Sequence, residues 1–330
     1  MATIFDVATA AGVSHQTVSR ALKGDPSVRQ EIRTRIEAAV QALDYRPNAA
    51  ARALASRRTR TLGLLVAGLP QFGPSSTTAA FNAAARRAGW DVAIEAVDGP
   101  DAGAVRVSAE ALLNRNVEAV VVVAPTSTVA SALGAAGSRV PMIATVQGGV
   151  PGAAVAAIDH EAGGALAMRH LAALGHRGVV HLAGPVDWPE ADLRLRGWQR
   201  ESERLGLPVG ALVRGDWTAP TGHRIGAELA AAGPPTAVFV ANDQMAIGLL
   251  AAFREAGLRV PEDVSVVGFD DVPEAPYLAA PLTTVRQDFP ELGRRLMAGV
   301  DALLAGAEPD RVTLVPDLVV RASTAPPRTD

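Results

Sequence analysis

The chain has 330 residues, 48% of them apolar, no cysteine and a formal net charge of −3. This length suits a small module joined to a large or two-lobed domain, and the absence of cysteine excludes disulfides and thiolate metal sites. The first residues lack the basic and long apolar regions of a secretory signal, so we expect none, and no run reaches the ~18 apolar residues of a membrane span. We therefore expect a cytoplasmic protein with no membrane partner.

The charge differs between the two parts of the chain. Residues 1–60 hold ten Lys or Arg and five Asp or Glu, a net of +5, which leaves −8 for the remainder. A basic head on an acidic body concentrates the attraction for phosphate at one end. Chance clustering is the alternative interpretation of this pattern.

The first residues predict two short helices joined by a tight turn. Thr3 and Asp6 have the spacing of a capping box, and Gly12 can take the left-handed conformation that ends a helix. Ser14 can then cap a second helix that starts at His15. The apolar residues of the first helix fall on one face: Ile4, Val7, Ala8 and Ala11. This arrangement is typical of a helix-turn-helix.

The second predicted helix has an outward face suited to base edges. Arg20 can pair with guanine, Gln16 can pair with adenine, and His15 lies near the end that enters a major groove. The inward face is predicted to hold Val18, Ala21 and Leu22. A third helix shows one apolar stripe: Ile32, Ile36, Ala39, Val40 and Leu43. A plain three-helix bundle with a solvated face is the alternative.

Four segments of this region closely resemble the DNA-binding headpiece of the LacI/GalR family of transcription regulators. They are residues 4–8 (IFDVA), 11–14 (AGVS), 17–20 (TVSR) and 45–48 (YRPN). The resemblance implies a headpiece over residues 1–47 in which His15, Gln16 and Arg20 read bases. It also implies that four residues position the phosphate backbone: Thr3, Ser14, Thr17 and Ser19.

Residues 48–60 form a predicted hinge and linker. The segment from Asn48 to Ser56 is rich in alanine and too short to hold a helix alone in water. A flexible linker is the plain interpretation. The family resemblance implies instead that two copies pair over the minor groove, where Leu54 wedges between bases and Asn48 also contacts the DNA.

The remaining residues, 61–330, alternate between strand-like and helix-like stretches. Helical examples are Thr78–Ala88 and Gln244–Ala256. Candidate strands are Thr61–Ala67, Asp91–Ala96, Ala119–Ala124, Pro141–Val146, Val179–Ala183, Thr236–Ala241 and Val264–Gly268. Repeated βαβ units predict an α/β core of two parallel-sheet lobes, the periplasmic-binding-protein-like architecture of the family. We expect an N-lobe of about 61–158 and 288–316, and a C-lobe of about 159–287 and 317–325.

Polar side chains cluster just past the ends of candidate strands, where doubly wound sheets bind ligands. Asn242 with Asp243, Asp270 with Asp271, and Gln287 each follow such a run, and Arg194 and Trp217 lie nearby. Carboxylate, amide and guanidinium groups with an indole platform suit a sugar. The alternative is ordinary helix capping, and Asn242 and Asp270 in particular have the features of N-caps.

Core segments resemble the lactose-responsive branch of the same family. They are residues 181–185, 193–198, 215–217, 240–246, 268–271 and 281–289. The resemblance implies that Arg194, Asn242 and Asp270 hold sugar hydroxyls and that Trp217 stacks on the ring. It further implies that Gln287 and Phe289 close the interlobe hinge. Residues 72–76 would lie at the cleft mouth and lead into a dimer-interface helix.

Two positions depart from the family pattern. An acidic residue is expected after the strand that ends near Thr145, and this chain has Val146-Gln147-Gly148. A small polar residue before the Arg194 segment is replaced by Glu190. A sugar-like effector is therefore a firmer expectation than any particular sugar. No heptad run follows the core, so we expect a homodimer without a tetramerising helix.

Together these patterns predict a DNA-binding transcriptional repressor that a small sugar-like inducer releases from operator double-stranded DNA. A corepressor-type regulator and a sugar-binding transport receptor are the alternatives. An enzyme is disfavoured, because Asp270-Asp271 and the histidines come without a nucleophile motif, a phosphate loop or metal-ligand spacing. We predict no catalytic residue, no cofactor and no metal site.

Overall fold

The computed structural model describes residues 2–22, 24–45, 58–68, 70–97, 101–123, 126–136, 140–145 and 150–328. The chain folds as two compact units, residues 1–60 and 61–330. Asn48 and Leu54, predicted to contact DNA, lie outside the described residues, as does Val146. Among the described helices, none is long and apolar enough to cross a membrane.

The described residues of the first unit form three helices: α1 (Ile4–Ala11), α2 (His15–Leu22) and α3 (Gln30–Ala42). The predicted capping box is confirmed, since the Thr3 N–H donates to Asp6 Oδ2 at 2.7 Å and Asp6 N–H donates to Thr3 Oγ1 at 3.3 Å. Gly12 ends α1 at φ 62°, and Ser14 Oγ accepts from the Thr17 N–H at 3.1 Å. Buried residues of all three helices and one residue of the loop before α3, Val28, form one small core: Val7, Ala8, Ala11, Val18, Ala21, Val28, Ile36 and Ala39.

Two predicted inward residues of this unit are exposed. Leu22 is 41% exposed and Leu43 is 38% exposed, so both assignments to the inward face were wrong. Leu22 is the last residue of α2, where Arg33 covers the helix end by donating to the Ala21 carbonyl at 3.0 Å. Leu43 lies beyond the last helical residue of α3 and so leaves the apolar stripe.

In the second unit, the described residues form two six-stranded sheets, one in each lobe. The N-lobe elements are β1 (Thr61–Ala67), α4 (Phe72–Arg87), β2 (Asp91–Val97), α5 (Ala102–Asn114), β3 (Val120–Val123), α6 (Ser127–Ala136), β4 (Met142–Ala144), β5 (Ala154–Ile158), α11 (Phe289–Leu304) and β11 (Val312–Leu314). Their strand order is β11-β5-β4-β3-β1-β2, and every pair is parallel.

The C-lobe repeats this architecture. Its elements are α7 (His160–Ala173), β6 (Val180–Ala183), α8 (Pro189–Arg204), β7 (Leu212–Arg214), α9 (Ala219–Ala231), β8 (Ala237–Val240), α10 (Asp243–Glu255), β9 (Ser265–Asp270), β10 (Thr283–Arg286) and β12 (Asp317–Val319), with a 3-10 turn at Ala275–Tyr277. The strand order is β12-β10-β9-β8-β6-β7, and only the β10–β12 pair is antiparallel.

The predicted strands largely coincide with the observed ones. Two differences matter for the cavity described below. The run predicted to end at Gly268 continues to Asp270, and β5, whose sequence is Ala-Val-Ala-Ala-Ile, was not predicted. The strands β7, β11 and β12, each of three residues, were also not predicted.

The chain passes between the two lobes three times, after β5, after β10 and after β11. Parallel strands within each sheet end at the same edge, so the side chains that follow them are brought together. The first two crossings place residues 159–160 and 287–289 at these strand ends. A ligand held there contacts both lobes at the segments that join them.

Candidate ligand cavity and nucleic-acid interface

A cavity lies where the two crossings meet the strand ends. Its lining combines polar groups with aromatic side chains, as small-molecule sites in proteins do. All six residues predicted to bind the effector line it: Arg194, Trp217, Asn242, Asp270, Gln287 and Phe289. They come from separate segments of the chain, and the fold brings them to one place.

The charged centre of the cavity is the Arg194–Asp270 pair. Arg194 Nη2 lies 3.7 Å from Asp270 Oδ1, and Gln287 Nε2 donates to the same oxygen at 2.6 Å. Burial raises the pKa of Asp270 to about 6, against the opposing effects of Arg194 and Gln287. The guanidinium carbon of Arg194 lies 3.7 Å from the Phe269 ring centroid and 5.4 Å from that of Trp217. Arg194 is therefore held in place by an acid and two aromatic rings.

Arg194 also fixes the state of His160. Its Nε donates to His160 Nδ1 at 3.3 Å, and its Nη1 donates to the Ala241 carbonyl. Burial lowers the pKa of His160 well below its usual value, and the nearby guanidinium lowers it further. His160 is thus a neutral acceptor at the start of α7, and it lines the cavity.

Asn242 caps α10 and holds Trp217 in position. Its Oδ1 accepts from the Met245 N–H at 3.0 Å, and its Nδ2 donates to the Trp217 carbonyl at 3.0 Å. Trp217 has φ 75°, an unusual value for a bulky residue, which this hydrogen bond helps to fix. The N-cap interpretation of Asn242 is confirmed, and its amide has one N–H and one lone pair left for a ligand.

The N-cap interpretation of Asp270 was wrong. Asp270 is the last residue of β9, has φ 117°, and points its carboxylate at Arg194 and Gln287. The nearest helical residue after it is Ala275, so there is no adjacent helix end to cap. Asp271 does not line the cavity and pairs instead with Arg321 at 2.6 Å.

Glu190, the residue out of family pattern, also lines the cavity. It is the second residue of α8 and is 8% exposed. Its Oε2 has no hydrogen-bond partner among the described residues, and burial raises the pKa of its carboxyl to about 7. Glu190 therefore places a buried carboxyl at the cavity, and one of its two oxygens has no hydrogen-bond partner among the described residues.

Aromatic residues form much of the remaining wall. Trp188 and Trp217 lie edge to face with ring centroids 6.0 Å apart, and Phe72 and Phe289 do so at 5.8 Å. Trp188 was not predicted, although it stands in the loop after β6, where the strand-end argument could have found it. Phe72, Gly73 and Pro74, from the segment expected at the cleft mouth, also line the cavity.

The histidines considered with Asp270 do not form one cluster. His176 and His181 are buried in the C-lobe, where His181 Nδ1 lies 3.0 Å from the Phe239 carbonyl oxygen. His223 pairs with Glu255 at the surface, and His170 contacts Thr324. In the part of the chain that the structure describes, no group of three or more His, Asp or Glu is placed to hold a metal ion.

The predicted base-reading residues are exposed on the surface of the first unit. His15, Gln16 and Arg20 are all exposed on α2, and the His15 ring lies 5.1 Å from that of Phe5, which is 62% exposed. Among the predicted phosphate contacts, Ser14 and Thr17 join hydroxyls at 2.9 Å, and Ser19 is half-buried. The Thr3 hydroxyl already donates to Asp6 Oδ2 at 2.8 Å.

Not every arginine of the first unit is free for DNA. Arg33 donates to the Ala21 and Asp25 carbonyls, and Arg35 donates to the Ala11 carbonyl. These carbonyls lie at or just beyond the C-terminal ends of α1 and α2, where cationic donors are favourable. Both arginines therefore stabilise the three-helix unit, while Arg20 projects from its surface.

A three-helix unit with an exposed polar helix, joined to a two-lobed core around a polar cavity, defines the class of ligand-responsive DNA-binding regulators. Residues 3–48 match the family described as bacterial regulatory proteins, lacI family, and residues 168–324 match a periplasmic binding protein-like domain. The match to the lacI family covers the whole of α1, α2 and α3.

Full-length relatives agree with these matches. The lactose operon repressor of Escherichia coli (strain K12) is 36% identical over 334 residues, which cover 99% of this chain and 92% of the relative. The ribose operon repressor of the same organism is 31% identical, covering 98% of this chain and all of the relative. A crystal structure of the lac repressor dimer bound to operator and the anti-inducer ONPF is 35% identical with a TM-score of 0.89, covering 98% of this chain and 99% of that one.

The chain belongs to the lacI family of bacterial regulatory proteins. It is a repressor of this type, with a helix-turn-helix DNA-binding domain and an effector-binding core of two mostly parallel sheets.

Proposed function

We propose that the protein is a homodimer that reads a near-palindromic operator and releases it when a small sugar-like inducer fills the core cavity. The observation that carries the proposal is the convergence of six residues on that one cavity: Arg194, Trp217, Asn242, Asp270, Gln287 and Phe289. A carboxylate, a guanidinium, two amides and an indole that line one cavity are suited to a polyhydroxylated ring.

The DNA-binding half of the proposal rests on α2. In each protomer His15, Gln16 and Arg20 would contact base edges in the major groove, since all three are exposed on one helix. The phosphate backbone would be held by Thr3, Ser14, Thr17 and Ser19. Asn48 and Leu54 would contact the centre of the operator, and their roles stay predictions. Two protomers would read two half-sites, as expected for a symmetric dimer.

The coupling half of the proposal rests on the lobe crossings. Gln287 and Phe289 belong to the segment that leaves the C-lobe sheet and enters α11 of the N-lobe. A ligand that contacts them together with Arg194 and Asp270 can prefer one arrangement of the lobes over another. The effector can change operator affinity only as far as it has this preference.

The proposal includes no catalysis and places the protein in the cytoplasm, where it would act on DNA. A sugar-binding transport receptor would share the core architecture but has no use for the three-helix unit at residues 2–45. A corepressor-type regulator would bind its operator more tightly with its ligand, whereas the proposed regulator would bind it less tightly. Operator affinity measured with and without the ligand distinguishes the two.

The test begins by selecting operators for the full chain from a randomised duplex library. Operator affinity is then measured by fluorescence anisotropy at one fixed salt concentration, with and without each member of a panel of sugars and aminated sugars. We expect at least one compound to weaken binding by roughly tenfold or more, within the usual range of allosteric coupling. Tighter binding in the presence of the compound would replace the inducer by a corepressor. No sequence preference in the selected DNA would overturn the proposal.

A further inference from the structure

The described lining of the cavity includes two carboxyl groups and one cationic side chain. Among the described lining residues the charged side chains are Glu190, Asp270 and Arg194, and His160 is neutral. Arg194 and Asp270 pair with each other at 3.7 Å. Glu190 is then left as a buried acid with no matching positive charge in the lining.

The Glu190 carboxyl has a hydrogen bond with its own backbone amide and a longer-range attraction to Arg194, but no close cation among the described residues. No Lys, Arg or His nitrogen of the described residues lies within 4.0 Å of its carboxylate, and its Oε2 accepts no hydrogen bond from them. Arg194, one turn further along α8, is already occupied by Asp270, His160 and the Ala241 carbonyl. A buried ionised carboxylate without a partner is strongly unfavourable. A hydrogen-bond donor on a bound ligand would therefore be a favourable partner for the Glu190 carboxyl.

The aromatic walls favour a cation over a neutral group. Trp188, two residues before Glu190, stands edge to face with Trp217 at 6.0 Å, and Phe72 and Phe289 form a second such pair at 5.8 Å. The faces of aromatic rings carry negative potential and attract ammonium groups, most strongly once water is excluded. One unpaired acid within aromatic walls is an arrangement suited to a protonated amine.

We propose that the effector is a sugar or polyol that carries one protonated amine, and that its ammonium group pairs with Glu190 against the aromatic wall. Its hydroxyls would meet Arg194, Asp270 and Gln287. This inference rests on the proposed function, since it names the chemical class of the effector. A neutral sugar would leave Glu190 either ionised without a partner or protonated, so it would gain less from this cavity.

The test is isothermal titration calorimetry on the full chain near pH 7, where aminated sugars are mostly protonated, with matched ligands. Glucosamine, glucose and N-acetylglucosamine form one series, because they place an ammonium, a hydroxyl and an uncharged amide on the same carbon. The galactose, mannose and aminated polyol series are compared in the same way. We expect at least one amine to bind roughly tenfold or more tightly than both of its uncharged counterparts. Equal or tighter binding of the uncharged members in every series would overturn the inference, as would no binding by any amine.

Two variants test whether Glu190 causes the preference for the amine. Glu190→Gln keeps the shape and removes the charge, and it should abolish the preference for the amine. Glu203→Gln makes the same change on an exposed residue of the same helix that does not line the cavity, and it should retain the preference. Amine preference that persists in Glu190→Gln would show that another group binds the cation and would overturn the assignment.

The number of protons released on ligand binding is a second measurement, and a change in packing alone would not alter it. Pairing with an ammonium favours the ionised form of Glu190, so binding near pH 7 should release protons, and a neutral sugar held by protonated Glu190 should take them up. Calorimetric titrations in buffers of different ionisation enthalpy distinguish proton release from proton uptake.

These binding measurements need no DNA. Amine binding without any effect on the operator would overturn the proposed coupling alone, and operator release by neutral sugars alone would overturn this inference and leave the repressor intact.

Discussion

Gln287 Nε2 donates a hydrogen bond to Asp270 Oδ1 at 2.6 Å, and this bond ties the end of β9 to the segment that crosses between the lobes. The same oxygen lies 3.7 Å from Arg194 Nη2. A single carboxylate thus faces the cavity, the guanidinium and the crossing segment at once. A ligand that engages Asp270 will act directly on the residue that leads into α11.

Asp270→Asn should remove the response to the effector. The amide can still accept from Gln287 and tolerates the unusual φ of 117° better than most residues, but it no longer balances the buried charge of Arg194. We expect effector affinity to fall by at least tenfold and the effector-dependent change in operator affinity to disappear, measured by calorimetry and anisotropy. Asp271→Asn is the matched control, since Asp271 pairs with Arg321 away from the cavity. Full induction of the Asp270 variant would place the effector elsewhere.

Arg20→Ala should relax specificity at one base pair of the operator. Loss of a bidentate contact to guanine weakens binding by about 1–3 kcal/mol and flattens the preference at that position. The measurement is competition binding against operators substituted one base pair at a time. Arg33→Ala is the contrasting variant, because Arg33 donates to the Ala21 and Asp25 carbonyls and should lower the melting temperature of the headpiece. An unchanged base preference in Arg20→Ala would contradict the assignment of α2 to the groove.

Most of the cavity residues that the sequence predicted were found because they lie at the ends of candidate strands. Runs of Val and Phe mark β8 and β9 clearly, so the polar residues at their ends were found: Asn242 and Asp270. The strand β5 is Ala-Val-Ala-Ala-Ile, which is not distinguishable by composition from the Ala-rich helices around it. Because that strand was missed, His160 at its end was missed as a cavity residue.

Other features depend on contacts that no local pattern contains. Leu22 and Leu43 have helical spacing but lie at helix ends, where Arg33 or solvent replaces the expected apolar neighbour. Glu190 was visible only as a departure from the family pattern, since an acid in the first turn of a helix is ordinarily a solvated, favourable residue. Its burial follows from how α8 packs, which spacing along the chain does not reveal.

The close packing of α7 against α8 depends on two glycines. A Cβ at Gly164 would overlap the Arg194 carbonyl, and a Cβ at Gly197 would overlap the Glu161 carbonyl. Replacing either with Ala should destabilise the core by about 1–3 kcal/mol and weaken effector binding, because α8 carries Glu190 and Arg194. Denaturant unfolding and calorimetry check both effects. Gly178→Ala is the control, since a Cβ added there would meet no other atom within 4 Å. Unchanged stability in both helix variants would contradict the packing argument.

The last prediction concerns how stability depends on pH. Burial raises the pKa of Glu190 to about 7 in the folded state, above its usual value of 4.5. A raised carboxyl pKa means that its favourable contribution is complete below about pH 4.5 and is lost as the pH rises toward 7. Glu190→Gln removes this loss. The free energy of unfolding of the variant, relative to the native chain, should therefore rise by about 3 kcal/mol between pH 4.5 and 7 and then stay level.

Neighbouring groups also titrate. The quantity to measure is therefore the difference in the free energy of unfolding between the variant and the native chain, and not the pH dependence of either protein alone. Facing Glu190 are Arg194 on its own helix, His160 on α7 and Asp270 on β9. Burial raises the pKa of Asp270, which acts in the same direction, whereas the lowered pKa of His160 reduces stability as the pH falls below about 6.5. These contributions are common to both proteins and largely cancel in the difference. Urea unfolding of the native chain, Glu190→Gln and Glu203→Gln from pH 4 to 9 measures it. A difference that is flat across this range would show that Glu190 keeps an ordinary pKa in the folded protein and is ionised without penalty, and would remove the reason for an amine in the cavity.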